Sequence, residues 1–207
     1  MRVLRTYYIF LFSSVVISQE NKTIKYEDLY ERNGLIYASD QDSSFNGTVD
    51  ENWPTGINKL SYTYKNGKPD SKWSDWFNNG QPKEEVEYSD GIKNGLHKQW
   101  YKNGQQKFER TYKNGIHDGK WTEWYETGQS MVEGNFLDGK PDGTWIYWYP
   151  NGQKREEGNP VSSDTSSLAF LNDGIWNYWH PNGQLKETGN YISGEKDCLL
   201  YTSDAAD

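Results

Sequence analysis

Two pairs of neighbouring glutamates, Glu84-Glu85 and Glu156-Glu157, come closest in type and spacing to a catalytic set. A glycosidase needs two carboxyls flanking one bond, one as acid and the other as nucleophile or base. Neighbours on a strand point to opposite faces, so these pairs read as surface charge. Three histidines, His97, His117 and His180, have the chemistry of general bases or metal ligands. No HExxH motif or paired-ligand spacing surrounds them. His97 falls in a column otherwise held by tryptophan, and His180 in the ring column of Phe77, Tyr101, Tyr125 and Tyr149. Both read as substituted rings, and His117 as a turn residue without a partner. Asp118, Asp138 and Asp142 have the chemistry of a loose calcium site, but no D-x-[DN]-x-[DN]-G loop occurs and turn chemistry accounts for them. A G-x-S-x-G elbow and a G-x-x-x-x-G-K-[ST] phosphate loop are also absent. The expectation is a chain with no catalytic residue, no cofactor and no metal.

The remaining candidates are aromatic. Ten Trp and sixteen Tyr raise the aromatic content to 16% of the 207 residues, although hydrophobic residues reach only 33%. That is too aromatic for a disordered chain and predicts a core built of rings. The net charge of -8 excludes sequence-independent nucleic-acid binding, which needs a basic surface.

The rings recur on a fixed period. Gly80, Gly104, Gly128 and Gly152 lie 24 residues apart, as do Trp76, Trp100, Trp124 and Trp148. Tyr64, Tyr88, Tyr112 and Phe136 keep the same spacing, and so do Gly67, Gly91, Gly115 and Gly139. A last copy, carrying Trp179 and Gly183, is displaced by seven residues through the Ser-rich stretch Asn159 to Phe170. Such a period signals stacked units, none of which buries its own apolar surface. Within each unit, aromatic-rich runs are separated by Asn-Gly and Asp-Gly, the strongest short-range hairpin signal. The fold class is therefore all-β: tandem 24-residue hairpins forming an extended antiparallel meander.

Columns predict faces. Val86, Phe108 and Val132, with Tyr88, Tyr112 and Phe136, should share the core side. The column Lys83, Lys107, Met131, Arg155, Lys186 and the column Glu85, Glu109, Glu133, Glu157 should form neighbouring charge ladders on the opposite face. Trp73, Trp121, Trp145 and Trp176 stand three residues before Trp76, Trp124, Trp148 and Trp179. This odd spacing puts the two Trp columns on opposite faces, unless a bulge intervenes or both faces are covered. The candidate ladder of binding or core rings is Trp76, Trp100, Trp124, Trp148, Trp179, Tyr101, Tyr125 and Tyr149, and Trp100 and Trp124 are expected in the core.

The ends differ from the array. Residues 1–18 pair a basic start, MRVLR, with a short apolar run, the layout of a secretory signal peptide. A secreted, periplasmic or cell-envelope location follows. Residues 19–60 form a lead-in with one degenerate repeat, and 61–197 the array. CLLYTSDAAD, 198–207, resembles a translated sequencing-library adapter and is expected to be an artefact at which the natural sequence is interrupted. Its cysteine is the sole one, so no disulfide is available. The sequons at Asn21 and Asn46 matter only in a eukaryotic secretory pathway.

YKNGIHDGKWTEWYETGQSMVEGNF and FLDGKPDGTWIYWYPNGQKREEGN resemble the MORN-repeat variant of the YwqK family of bacterial antitoxin-like proteins. DLYERNGLIYASDQDSSFNGTV looks like that family's lead-in. Ser71 at a usual glycine, His97 and the insertion depart from the pattern. The resemblance implies a non-enzymatic hairpin-repeat protein acting on a protein partner as the antitoxin of a toxin-antitoxin pair. A cell-envelope scaffold, a module associated with membrane lipid, or the targeting part of a larger protein is the alternative.

Overall fold

A computed structural model describes residues 24–162 and 170–203. The expected signal peptide, most of the Ser-rich insertion and the last four residues lie outside the described residues. A 3-10 turn (Tyr26–Asp28) leads into a small hairpin of β1 (Leu29–Arg32) and β2 (Leu35–Ala38). All other described strands join one antiparallel sheet of 14 strands in chain order. It opens with β3 (Gly47–Asn52), β4 (Asn58–Lys65), β5 (Lys68–Pro69), β6 (Ser71–Trp76), β7 (Pro82–Ser89) and β8 (Ile92–Trp100). It continues with β9 (Gln106–Lys113), β10 (Ile116–Trp124), β11 (Ser130–Leu137) and β12 (Lys140–Trp148). β13 (Lys154–Ser162), β14 (Phe170–Trp179), β15 (Leu185–Ile192) and β16 (Glu195–Thr202) complete it. This is the expected meander.

Turn chemistry sets the register. At one long edge, two-residue turns such as Asn66-Gly67, Asn114-Gly115 and Asp138-Gly139 hold both central residues at positive φ, as a type I′ hairpin requires. At the other edge, five-residue turns close through matched bonds. In Tyr101–Gln105 the Tyr101 amide donates to the Gln105 carbonyl at 2.8 Å and Gly104 to Tyr101 at 3.0 Å. The turn Trp53–Ile57 of the lead-in repeats both bonds.

Each hairpin also carries two irregularities. Near the ring-bearing turns, Asp75 faces Glu84 but Trp76 faces Pro82, leaving Lys83 unopposed as a bulge. The same shift recurs before Trp100, Trp124, Trp148 and Trp179. The column Lys83, Lys107, Met131, Arg155, Lys186 is thus the bulge position, which corrects the expectation of a regular charge ladder beside the glutamates. The glutamate column takes its cations elsewhere: Lys72 holds Glu85 at 2.7 Å, Lys98 holds Glu109 at 2.9 Å and Lys154 holds Glu157 at 2.6 Å. A second break lies mid-strand, where Gly95, Gly119, Gly143 and Gly174 have positive φ. Ser71 occupies this position in β6 with φ 61°, a non-glycine residue in left-handed conformation.

The core lies on the predicted face. Val86, Phe108, Val132 and Phe136 are buried there. So are Trp121, Trp145 and Trp176, which share that face because they stand two residues before Glu123, Tyr147 and Tyr178 in register with the core row. Each covers the preceding strand. A Cβ on Gly134 would sit 2.2 Å from the Trp145 ring, and one on Gly158 2.3 Å from Trp176. Glycine is required there by contact. A separate cluster of Ala38, Phe45, Val49, Leu60 and Tyr64 closes the lead-in against Trp73.

Candidate functional site

The sequence-predicted ladder gathers at the edge of the five-residue turns. Trp76, Trp100, Trp124, Trp148 and Trp179 end their strands on the face opposite Trp121 and Trp145, each half-buried. The expectation that Trp100 and Trp124 form the core is therefore corrected: the buried tryptophans are the other column. Strand alternation separated the two columns, and the core closed over the one able to lie across neighbouring glycines.

The tyrosines of the turns tie successive hairpins together. The Tyr101 hydroxyl donates to the Trp124 carbonyl at 3.0 Å, Tyr125 to Trp148 at 2.7 Å and Tyr149 to Trp179 at 3.0 Å. Turn asparagines bridge in parallel: Asn79 to the Lys102 carbonyl, Asn103 to Glu126 and Asn151 to Pro181. At the start of the row Trp53 takes the tyrosine's place, its indole N–H reaching the Trp76 carbonyl at 3.3 Å. Phe77, next in the row, has no hydroxyl to reach onward.

Cations from the bulge and nearby positions lie over these rings. Lys59 sits 5.7 Å from the Trp53 centroid, Lys107 5.8 Å from Tyr101 and Lys154 5.5 Å from Trp179. Across the first three ring turns, Trp53, Lys59, Asp75, Trp76, Phe77, Lys83 and Lys102 line a cleft of about 390 Å³. Asp75 accepts a hydrogen bond from the Tyr62 hydroxyl at 2.7 Å, and burial holds its carboxyl above the ordinary range. Lys59 is paired with Glu51 at 2.9 Å, which keeps the amine firmly charged. Trp53 and Lys59 were missed in the sequence, yet each stands 24 residues before a member of a named column, Phe77 and Lys83.

His180 opens the last ring turn as Tyr149 opens its own, while His97 and His117 lie elsewhere. His97 is buried and its Nε2 meets Glu84 at 2.7 Å, which lowers the Glu84 carboxyl. Its Nδ1 lies 3.3 Å from Lys93, whose amine is lowered by burial. Arg110 sits across from His97, pairs with Glu123 and stacks on Phe108 and Trp121 at 4.0 and 3.9 Å. His117 is not the partnerless turn residue expected: it lies on β10 among the rings of Tyr112, Trp121 and Phe136. Burial first, then Arg110 and Lys93, lowers it to about 4. His97 and His117 thus serve as rings of the core face. The Glu84-Glu85 pair divides as strand alternation requires, Glu84 to His97 and Glu85 to Lys72. Among the described residues, no three His, Cys, Asp or Glu side chains are arranged to hold a metal.

Five segments, 69–90, 93–114, 118–138, 141–159 and 172–193, match the profile of the MORN repeat variant. The chain belongs to the MORN repeat variant family. Each matched segment spans one hairpin unit of the sheet, including the copy after the insertion. No curated protein matches the chain. As a MORN array it is a repeat module of binding or scaffold type, and its candidate interface is the ring-turn edge with the adjoining cleft.

Proposed function

We propose that this array is a non-enzymatic protein-binding module, the antitoxin- or immunity-like member of a pair whose toxin acts outside the cytoplasm. The carrying observation is the ring-turn edge: a half-buried Trp at every hairpin, with Tyr101, Tyr125 and Tyr149 pre-ordered by inter-turn hydrogen bonds and amines beside the rings. Aromatic anchors held rigid before binding lose little entropy on association and dominate interface energies. The apolar run of residues 1–18 supports the location. The test begins with the DNA downstream of the array. The neighbouring gene product is expressed alone and together with this chain in its secreted form. Growth arrest relieved by co-expression, with a complex that co-purifies, is the expected result. A harmless neighbour, or arrest that the chain leaves untouched, sinks the antitoxin reading. An envelope scaffold or lipid-binding role is the competing class, and flotation with phosphatidylethanolamine–phosphatidylglycerol vesicles separates it: a protein binder stays at the bottom of the gradient.

A further inference from the structure

The cleft at the first three ring turns brings unpaired amines and aromatic rings together. Lys83 and Lys102 are exposed and enter no ion pair among the described residues, whereas Lys59 is held by Glu51. In a protein of net charge -8, two unpaired amines beside three aromatic rings form a local site for negative charge. We propose that this cleft binds an extended acidic peptide segment of the partner, with one aromatic or bulky apolar side chain between Trp53, Trp76 and Phe77 and carboxylates on Lys83 and Lys102. The inference rests on the protein-binding reading and specifies the chemistry of what is bound.

Size and repeat both favour a peptide. A volume of about 390 Å³ is at the small end of ligand sites and holds one or two side chains. At the cleft, Asp75 is occupied by the Tyr62 hydroxyl. Its carboxylate leaves the interior to an apolar group and assigns acidic groups to the amines. Beyond the cleft the same edge presents Tyr101 with Lys107 one hairpin later. Successive hairpins are two strands apart, roughly 9.4–9.8 Å. An extended polyproline-II segment advances about 9.3 Å every three residues, so its side chains meet successive rungs in step. A compact anion would use neither the rings nor the repeat.

The test is selection of random 12-residue peptides displayed on phage against the full chain. Enriched sequences are then synthesised with a fluorescent label and titrated by anisotropy. The expected peptides carry acidic residues flanking an aromatic or large apolar one. Their Kd rises tenfold or more in Lys83→Glu and in Lys102→Glu, rises with added NaCl, and is unchanged in Lys140→Glu at the opposite edge. Near-UV circular dichroism of each variant should match the parent, since all three lysines are exposed. Peptides without acidic bias, peptides indifferent to both cleft substitutions, or no enriched peptide at all would each overturn the proposal. The protein-binding reading falls only if the intact partner also fails to bind, so the two failures are distinguishable.

Discussion

In the later hairpins a tryptophan lies directly on a glycine, Trp145 over Gly134 and Trp176 over Gly158. In the earlier ones the same slot is filled differently. Trp73 stacks on Tyr62 with centroids 4.3 Å apart, Val86 faces His97, and the Arg110 guanidinium lies 3.9 Å from the Trp121 ring. Every version puts a flat group against a small or flat partner, which is what a ring in a single-layer sheet needs to cover the neighbouring backbone. Where glycine provides the space, the ring lies directly against the backbone. Where a larger residue fills it, charge enters the core face, and Glu84, Lys93, Arg110 and Glu123 form around His97 and His117. The repeat thus conserves a shape of contact while its chemistry varies along the array.

The largest break in that comparison is Trp145→Ala. Losing a ring that is 2% exposed should cost about 3–5 kcal/mol of unfolding free energy. Trp124→Ala, from the half-buried column, should cost less, about 1–2 kcal/mol, because its ring is only partly covered and leaves no closed cavity. Urea denaturation of both variants measures the difference, and equal losses would mean that both columns are core. Gly158→Ala comes next, at about 1–3 kcal/mol, since its methyl meets the Trp176 ring. The same overpacking has no counterpart at position 86, where Val86 already faces a smaller ring, so Val86→Ala should lose stability by a cavity mechanism with unchanged near-UV signal from tryptophan.

The charged slots should show themselves in pH dependence. His117 is lowered to about 4, so between its ordinary value of 6.5 and that point the unfolded chain takes up a proton that the folded chain refuses. Stability therefore falls as pH drops from 6.5 to 4. Glu84, lowered by its bond to His97, adds loss in the same direction at the acid end. His117→Phe should flatten the upper part of the decline by about 1–2 kcal/mol, the linkage value reduced for partial exposure. Thermal unfolding across that pH range decides it; a variant curve parallel to the parent would remove His117 as the cause.

Much of this was legible in the chain. Repeating Asn-Gly and Asp-Gly pairs demanded positive φ at fixed intervals, and that local requirement determined the hairpins, their period and the antiparallel order. Strand alternation then assigned Val86, Phe108, Val132 and Phe136 to one face and split the Glu84-Glu85 pair. What alternation cannot decide is which face is covered. Trp121 and Trp124 are equivalent in sequence terms, and only the approach of Trp145 to the Gly134 backbone, and its counterparts along the array, chose the inner column. The bulge at Lys83 and its equivalents was equally hidden, because an unopposed residue is a property of two paired strands and leaves no mark on one. The ring-turn cleft required both: Trp53, Phe77 and Lys102 lie on separate turns that meet only when the hairpins stack. Local backbone chemistry sets the repeat unit, and contacts between units set the core and the site.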